Sequence, residues 1–212
     1  MKLILLGAPG SGKGTQAELL TQKLSIPAIS TGNMLREAIA HGSELGQRVK
    51  KFMDEGSLVP DDVVLDIVAE RVQRSDCANG FILDGVPRTL PQAEALEARN
   101  VNIDHVVSIE IDDAVIEGRM TGRRVCGKCG ASYHIVANPP KAEGICDSCG
   151  GELMIRKDDA PETVRNRLKV YHEQTEVLKD FYSKLGKVRT VEGNQPIEKA
   201  NKEILVAIGA KA

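Results

Sequence analysis

Aromatic residues are scarce in this sequence, at 3%, and tryptophan is absent altogether. Few side chains are therefore available for stacking against the bases of single-stranded nucleic acid. Excess charge is lacking too, because a formal net charge of −2 provides no basic surface for a polyanion or an anionic membrane. The apolar run at 3–6 stops at Gly7, which is too short for a signal-peptide core or a membrane span. We therefore expect no nucleic acid or membrane partner, and a cytoplasmic location.

The rest of the composition is that of an ordinary folded protein. Hydrophobic residues make up 42% and charged residues 27% of the 212 residues, proportions typical of globular chains. This length holds one domain with a sizeable core and leaves room for a small insertion.

Short apolar runs alternate with helical patterns along most of the chain. Strands are predicted at 2–6, 28–30, 81–83, 105–111 and 188–192. Helices are predicted at 13–24, in three pieces over 32–73, at 90–98, from a cap at Asp112 to residue 121, at 161–184 and at 196–208. The alternation predicts an α/β fold, with a five-stranded parallel sheet flanked by helices and ligands at the carboxyl ends of the strands.

The segment 7–15 follows the first predicted strand and reads Gly-Ala-Pro-Gly-Ser-Gly-Lys-Gly-Thr. Its glycines let successive backbone N–H groups turn towards one centre, and the following helix adds its positive N-terminal end. Lys13 supplies a cation for the outer phosphates of a nucleotide. We therefore predict a phosphate-binding loop that uses Gly10, Ser11, Gly12, Lys13, Gly14 and Thr15.

Four of the five cysteines form two C-x₂-C pairs, Cys126 with Cys129 and Cys146 with Cys149, separated by sixteen residues. This spacing predicts a zinc ribbon in which four thiolates complete the coordination sphere, so the metal is structural rather than catalytic. Unligated thiols and disulfides are the weaker alternatives, and iron or cobalt would also suit four thiolates. The pairs lie in 122–159, which interrupts the strand–helix rhythm and is predicted to be a small inserted unit.

The position of the loop hydroxyl narrows the interpretation. It falls on Thr15, one place after the usual position, and Gly-Lys-Gly-Thr is the form found in nucleoside monophosphate kinases. Further segments match motifs of these kinases and follow in the same order along the chain. They are Ser30-Thr31-Gly32 with Arg36, residues 84–89 with Gln92, Gly122-Arg123-Arg124, and residues 156–159 with Arg167. Along essentially its whole length, the chain resembles the adenylate kinases, in particular the bacterial type with a long, four-cysteine zinc-binding lid.

The resemblance implies a P-loop kinase that catalyses ATP + AMP ⇌ 2 ADP with Mg²⁺, and that works as a monomer. It divides the chain into a core (1–29, 60–121 and 160–212), an AMP-binding flap (30–59) and a lid (122–159). It implies ATP contacts from the loop and from Arg119, Arg123, Ser132, Tyr133 and Gln195. The implied AMP contacts are Thr31, Arg36, Ser57, Leu58, Val59, Gly85, Val86, Pro87, Arg88, Gln92, Arg156 and Arg167.

Phosphoryl transfer needs positioned positive charge more than covalent chemistry. The resemblance makes Lys13, Arg36, Arg88, Arg123, Arg156 and Arg167 the charge-stabilising cluster, with in-line transfer and no covalent intermediate. The attacking phosphate is already an anion, so no general base is expected. Asp84, at a predicted strand end, is the best carboxylate for the magnesium side, through water.

Two residues depart from the commonest pattern of this family. Asn33 stands where an aspartate is usual and Val86 where a phenylalanine is usual, so weaker binding of Mg²⁺ and of AMP is expected.

Two other functions remain as alternatives. A UMP- or CMP-type monophosphate kinase is the first alternative. A non-enzymatic nucleic-acid module is the second, which the low net charge and the scarcity of aromatic residues disfavour.

Overall fold

The computed structural model describes residues 1–99 and 101–211. Its strands are β1 (Lys2–Leu6), β2 (Ala28–Ser30), β3 (Phe81–Asp84), β4 (His105–Glu110), β5 (Arg123–Cys126), β6 (Ser132–His134), β7 (Leu153–Met154) and β8 (Val188–Glu192). Its α-helices are α1 (Lys13–Leu24), α2 (Thr31–Ala40), α3 (Glu44–Glu55), α4 (Asp61–Val72), α5 (Leu90–Ala98), α6 (Asp113–Gly122), α7 (Pro161–Val170), α8 (Leu178–Lys184) and α9 (Ile197–Ala207).

Five strands form a parallel sheet, as predicted, and their order is β2-β3-β1-β4-β8. Alternate residues of β1 enter opposite cores, because side chains of a strand point to opposite faces. Leu3 and Leu5 pack with residues of α1 and α9, whereas Ile4 and Leu6 pack with residues of the helices on the other face. Burial on both faces explains why residues 3–6 of β1 form an uninterrupted apolar run.

Residues 123–154 contain a separate three-stranded antiparallel sheet in the order β6-β5-β7. This insertion has a small hydrophobic cluster of its own, built around Cys126, Tyr133, Cys146 and Leu153. It also touches the main body. Arg156 at its end donates a hydrogen bond of 3.4 Å to Asn33 in α2.

The prediction of one long helix over 161–184 was wrong in detail. The segment consists of α7, a π-helical turn at Tyr171–Thr175 and α8. The N–H of Glu176 donates to the carbonyl oxygen of Tyr171, at 2.9 Å, so the turn holds an extra residue. The shift lets Tyr171 pack beside the phosphate loop while Leu178 enters the main core.

Asp112 is the N-cap residue of α6, as predicted. It precedes α6, but its side chain makes no capping hydrogen bond. Its backbone carbonyl oxygen accepts instead from the N–H groups of Val115 and Ile116. Across residues 1–99 and 101–211, no helix combines the length and the apolar character needed to cross a membrane.

Candidate active site

The loop between β1 and α1 is the first part of the site. Because β1 is the central strand and pairs with β3, the loop opens at the carboxyl edge of the sheet beside Asp84. Gly7 has a φ of 142°, and a Cβ there would lie 2.5 Å from the carbonyl oxygen of Ile109. Only glycine tolerates that approach and that backbone angle. The loop then runs into the N-terminus of α1, where free N–H groups favour an anion.

Lys13 lies across this loop. Its Nζ donates to the carbonyl oxygens of Gly7, at 2.6 Å, and Ala8, at 2.8 Å. Burial lowers the pKa of Lys13 to about 7; Asp84 opposes this change, and nearby arginines reinforce it. The ammonium group is therefore held at the loop but is poorly compensated, which prepares it to gain an anionic ligand.

A cavity of about 1040 Å³ opens in front of the loop. Six arginines and one lysine line it, and the acidic side chains in its lining are Glu18 and Asp84. A smaller cavity of about 30 Å³ lies next to it and shares Gly85 and Arg88 with its lining. A surface with this charge is complementary to a polyanionic ligand.

Most of the predicted site residues meet around these two cavities. The larger is lined by all the predicted catalytic and ATP-binding residues, namely Lys13, Arg36, Asp84, Arg88, Arg123, Arg156, Arg167, Gly10, Ser11, Gly12, Gly14, Thr15, Arg119, Ser132, Tyr133 and Gln195, and by Pro87. The smaller is lined by Thr31, Ser57, Leu58, Val59, Gly85, Arg88 and Gln92. Val86 is the exception, because it is buried in the main core and lines neither cavity.

Two carboxylates hold three of the six arginines in place. Asp159, whose side chain is fully buried, accepts from Nε of Arg123 at 2.7 Å and pairs with its Nη2. Asp158 accepts from Arg167 at 3.0 Å and lies 3.6 Å from Arg36. Neither aspartate has a role predicted from the sequence. Their role could have been predicted, because a cluster of buried arginines needs negatively charged side chains beside it when no anionic ligand is bound.

The arginines remain charged despite their crowding. Burial together with Arg36 and Arg123 lowers the pKa of Arg156 to about 9, and burial lowers that of Arg167 to about 10. Both values are well above neutral pH, so the guanidinium groups keep their charge. They form a preorganised positive site, of the kind that stabilises negative charge developing on a transferred group.

The matching family profile is that of adenylate kinase, and it covers residues 5–187. The adenylate kinase of Lachnospira eligens is 51% identical over 99% of this chain and 100% of its own length. That of Caldicellulosiruptor bescii is 53% identical over 99% of both chains, and that of Caldicellulosiruptor saccharolyticus is 52% identical over 100% of both. The chain belongs to the adenylate kinase family. It is thus a nucleotide-binding enzyme, a kinase.

Four cysteine sulfur atoms of this chain lie within 4.8 Å of one another. Sγ of Cys126 is 3.4 Å from that of Cys149, and Sγ of Cys129 is 3.6 Å from that of Cys146. Zinc bonded to sulfur at about 2.3 Å places tetrahedral ligands about 3.8 Å apart, so the group fits such an ion.

The two cysteine pairs have the same local fold. The N–H of Gly130 donates to the carbonyl oxygen of Cys126 at 3.0 Å, and that of Gly150 to the carbonyl oxygen of Cys146 at 2.9 Å. Each glycine has a positive φ, of 76° and 68° respectively, which completes the turn. Nδ1 of His134 accepts from the N–H groups of Val136 and Ala137 and is outside the sulfur cluster.

Two of the side chains predicted to bind nucleotide also make contacts within the protein. The hydroxyl of Tyr133 accepts from the N–H of Asp147 at 2.8 Å and lies 3.5 Å from Sγ of Cys146. Nε2 of Gln195 donates to the carbonyl oxygen of Glu192 at 2.8 Å. The hydroxyl of Tyr133 and Nε2 of Gln195 are engaged within the protein, so we expect no new hydrogen bonds from these two groups.

Proposed function

We propose that this enzyme transfers a phosphoryl group reversibly between ATP and AMP, giving two ADP. The observation that carries the proposal is the set of arginines around the large cavity that faces the phosphate loop, with Gln92 close by in a small cavity that shares Arg88 with it. A triphosphate on the loop and a monophosphate whose base reaches Gln92 would direct their phosphates towards the same arginines. Substrates held in this way react as in an intramolecular step.

The arginine cluster supports direct, in-line transfer with no covalent intermediate. Arg36, Arg123, Arg156 and Arg167 come from different parts of the chain, and the buried Asp158 and Asp159 hold three of them. Planar guanidinium groups bind phosphate oxygens in pairs and suit a group whose charge is spread over its outer oxygens. The acceptor phosphate is already an anion, which removes the need for a base.

Asp84 and Thr15 are the residues that we propose on the magnesium side. Both line the larger cavity, and the carboxylate of Asp84 projects beside the loop, 3.9 Å from a Cβ built at Gly14. Carboxylate, hydroxyl and phosphate oxygens are the hard ligands that Mg²⁺ prefers, often through water. When bound, the ion would neutralise charge on the outer phosphates. Asn33 lines the same cavity but contributes no charge.

We propose that residues 122–159 form a lid with a structural zinc ion, and residues 30–59 a mobile flap. Four thiolates leave no open coordination position, and a unit of this size cannot bury enough core to be rigid alone. A lid that moves as one body would bring Arg123 to the phosphates and exclude water.

The four thiolates suit a reducing compartment, the cytoplasm. Residues of one chain form the whole candidate site, which suits a monomer.

Acceptor turnover tests the proposal. With Mg·ATP as donor, we expect AMP to be phosphorylated far faster than CMP, UMP or GMP, and ADP to be the product on both sides. A preference for UMP or CMP would identify a pyrimidine monophosphate kinase instead. ATP hydrolysis without transfer to any monophosphate would contradict a kinase.

A further inference from the structure

The side-chain amide of Gln92 is bonded at both ends. Gln92 is 1% exposed and lines the smaller cavity. Its Oε1 accepts from the backbone N–H of Arg88 at 2.7 Å, and its Nε2 donates to Oδ1 of Asp61 at 2.7 Å. Each end keeps one further hydrogen-bonding site, an N–H at Nε2 and a lone pair at Oε1.

These two partners fix which end of the amide is which. A backbone N–H can only donate, and an ionised carboxylate can only accept. A flipped amide would place its NH₂ against the N–H of Arg88 and its oxygen against Asp61, losing two buried hydrogen bonds. The orientation thus follows from the chemistry of the partners.

Asp61 is itself held in position. The hydroxyl of Thr89 donates to both of its carboxylate oxygens, at 3.0 and 3.1 Å, and accepts from the N–H of Gln92 at 3.3 Å. Asp61 lies in the first turn of α4, where an acidic residue is favoured by the helix dipole alone. Asp62 shares that position and charge but is exposed, and no hydrogen bond within residues 1–99 and 101–211 joins it to Gln92.

We infer that Asp61 is a specificity-determining positioning residue that fixes the polarity of the Gln92 amide. The inference rests on the proposed function, with the monophosphate base beside Gln92. The free N–H and lone pair complement a base edge with an acceptor ring nitrogen beside an exocyclic amino group, as in adenine. They are mismatched to an edge with a ring N–H beside a carbonyl, as in hypoxanthine, guanine or uracil, because donor would then face donor and acceptor would face acceptor.

AMP and IMP are the matched substrates for a test, because they differ only in reversing that edge. Asp61→Asn keeps the size of the side chain but can donate as well as accept, so it removes one of the two constraints on the amide. We expect the ratio of kcat/KM for AMP to that for IMP to fall roughly tenfold, through a higher KM for AMP, with kcat for AMP nearly unchanged. Asp62→Asn makes the same charge change nearby and should leave the ratio as in the wild type.

An Asp61→Asn enzyme that folds and keeps the wild-type ratio would overturn the inference. The wild-type protein provides a second test that does not depend on that variant. In its NMR spectrum, the NH₂ protons of Gln92 should show stronger contacts to Asp61 than to the N–H of Arg88, and the reverse order would overturn the assigned polarity. Failure of the wild type to use AMP would refute the proposed function, while the NMR contacts would still decide the orientation.

Discussion

Binding of ATP should draw a proton from solution at mildly alkaline pH. Burial lowers the pKa of Lys13 to about 7 in the free protein. A triphosphate on the loop adds negative charge next to Nζ, which favours the ammonium form and raises the pKa again. Lys13 would therefore be mostly neutral in the free enzyme at pH 8 and charged in the complex.

The size of the effect follows from the pKa. At pH 8 a group with a pKa of about 7 is about 90% neutral, so binding of one ATP should take up about 0.9 proton. Protonating Lys13 costs about 1.4 kcal/mol for each pH unit above its pKa, so the apparent Kd for ATP should rise up to about tenfold per unit there. Phosphate groups, with a second pKa near 6, are already ionised at pH 8.

Isothermal titration calorimetry at pH 8, in two buffers with different ionisation enthalpies, measures the proton number. Lys13→Arg is the matched variant, because a guanidinium is charged in both states and should abolish the uptake. An uptake below about 0.2 proton in the wild type, or an uptake that persists in Lys13→Arg, would refute the reasoning.

The lowered pKa of Lys13 also makes the stability of the free protein depend on pH. Between pH 7 and the usual lysine value of 10.5, the unfolded chain binds a proton at Lys13 that the folded chain does not. Stability contributed by this group therefore rises with pH across that window and is lost as pH falls through it.

Three further predictions concern the rest of the site. Asp159→Asn should lower the free energy of unfolding by about 3–5 kcal/mol, because Arg123 and Arg167 lose a buried countercharge; urea denaturation measures this, and a loss below about 1 kcal/mol would contradict it. Removal of the lid metal by a chelator should lower the melting temperature, while the rate of the enzyme that is still folded changes little. A rate that collapses while the melting temperature stays the same would argue against a structural metal. Asn33→Asp should lower the Mg²⁺ concentration needed for half-maximal rate, and an unchanged titration would reject that role.

Local patterns were sufficient for the sheet and the phosphate loop. β1 reads as a buried strand because both of its faces are covered, and the glycines of the loop carry their own conformational meaning. The C-x₂-C pairs likewise predicted the sulfur cluster, since a four-thiolate site depends on short-range spacing.

Contacts between distant segments were beyond these patterns. Asp61 and Gln92 meet because the first turns of α4 and α5 come together, which no helical periodicity reveals. The π-helical turn after α7 was missed for a related reason. One additional residue in a turn leaves the spacing of apolar residues nearly unchanged, and tertiary packing of Tyr171 decides its position.

Direct passage of the phosphoryl group from one nucleotide to the other can be tested by stereochemistry. The substrate is ATP made chiral at its γ-phosphorus by sulfur and oxygen isotopes, with AMP as acceptor. A single in-line transfer between nucleotides predicts inversion of configuration in the β-phosphorus of the ADP formed from AMP. Retention would contradict direct transfer, because it requires two displacements and thus a phosphorylated enzyme group.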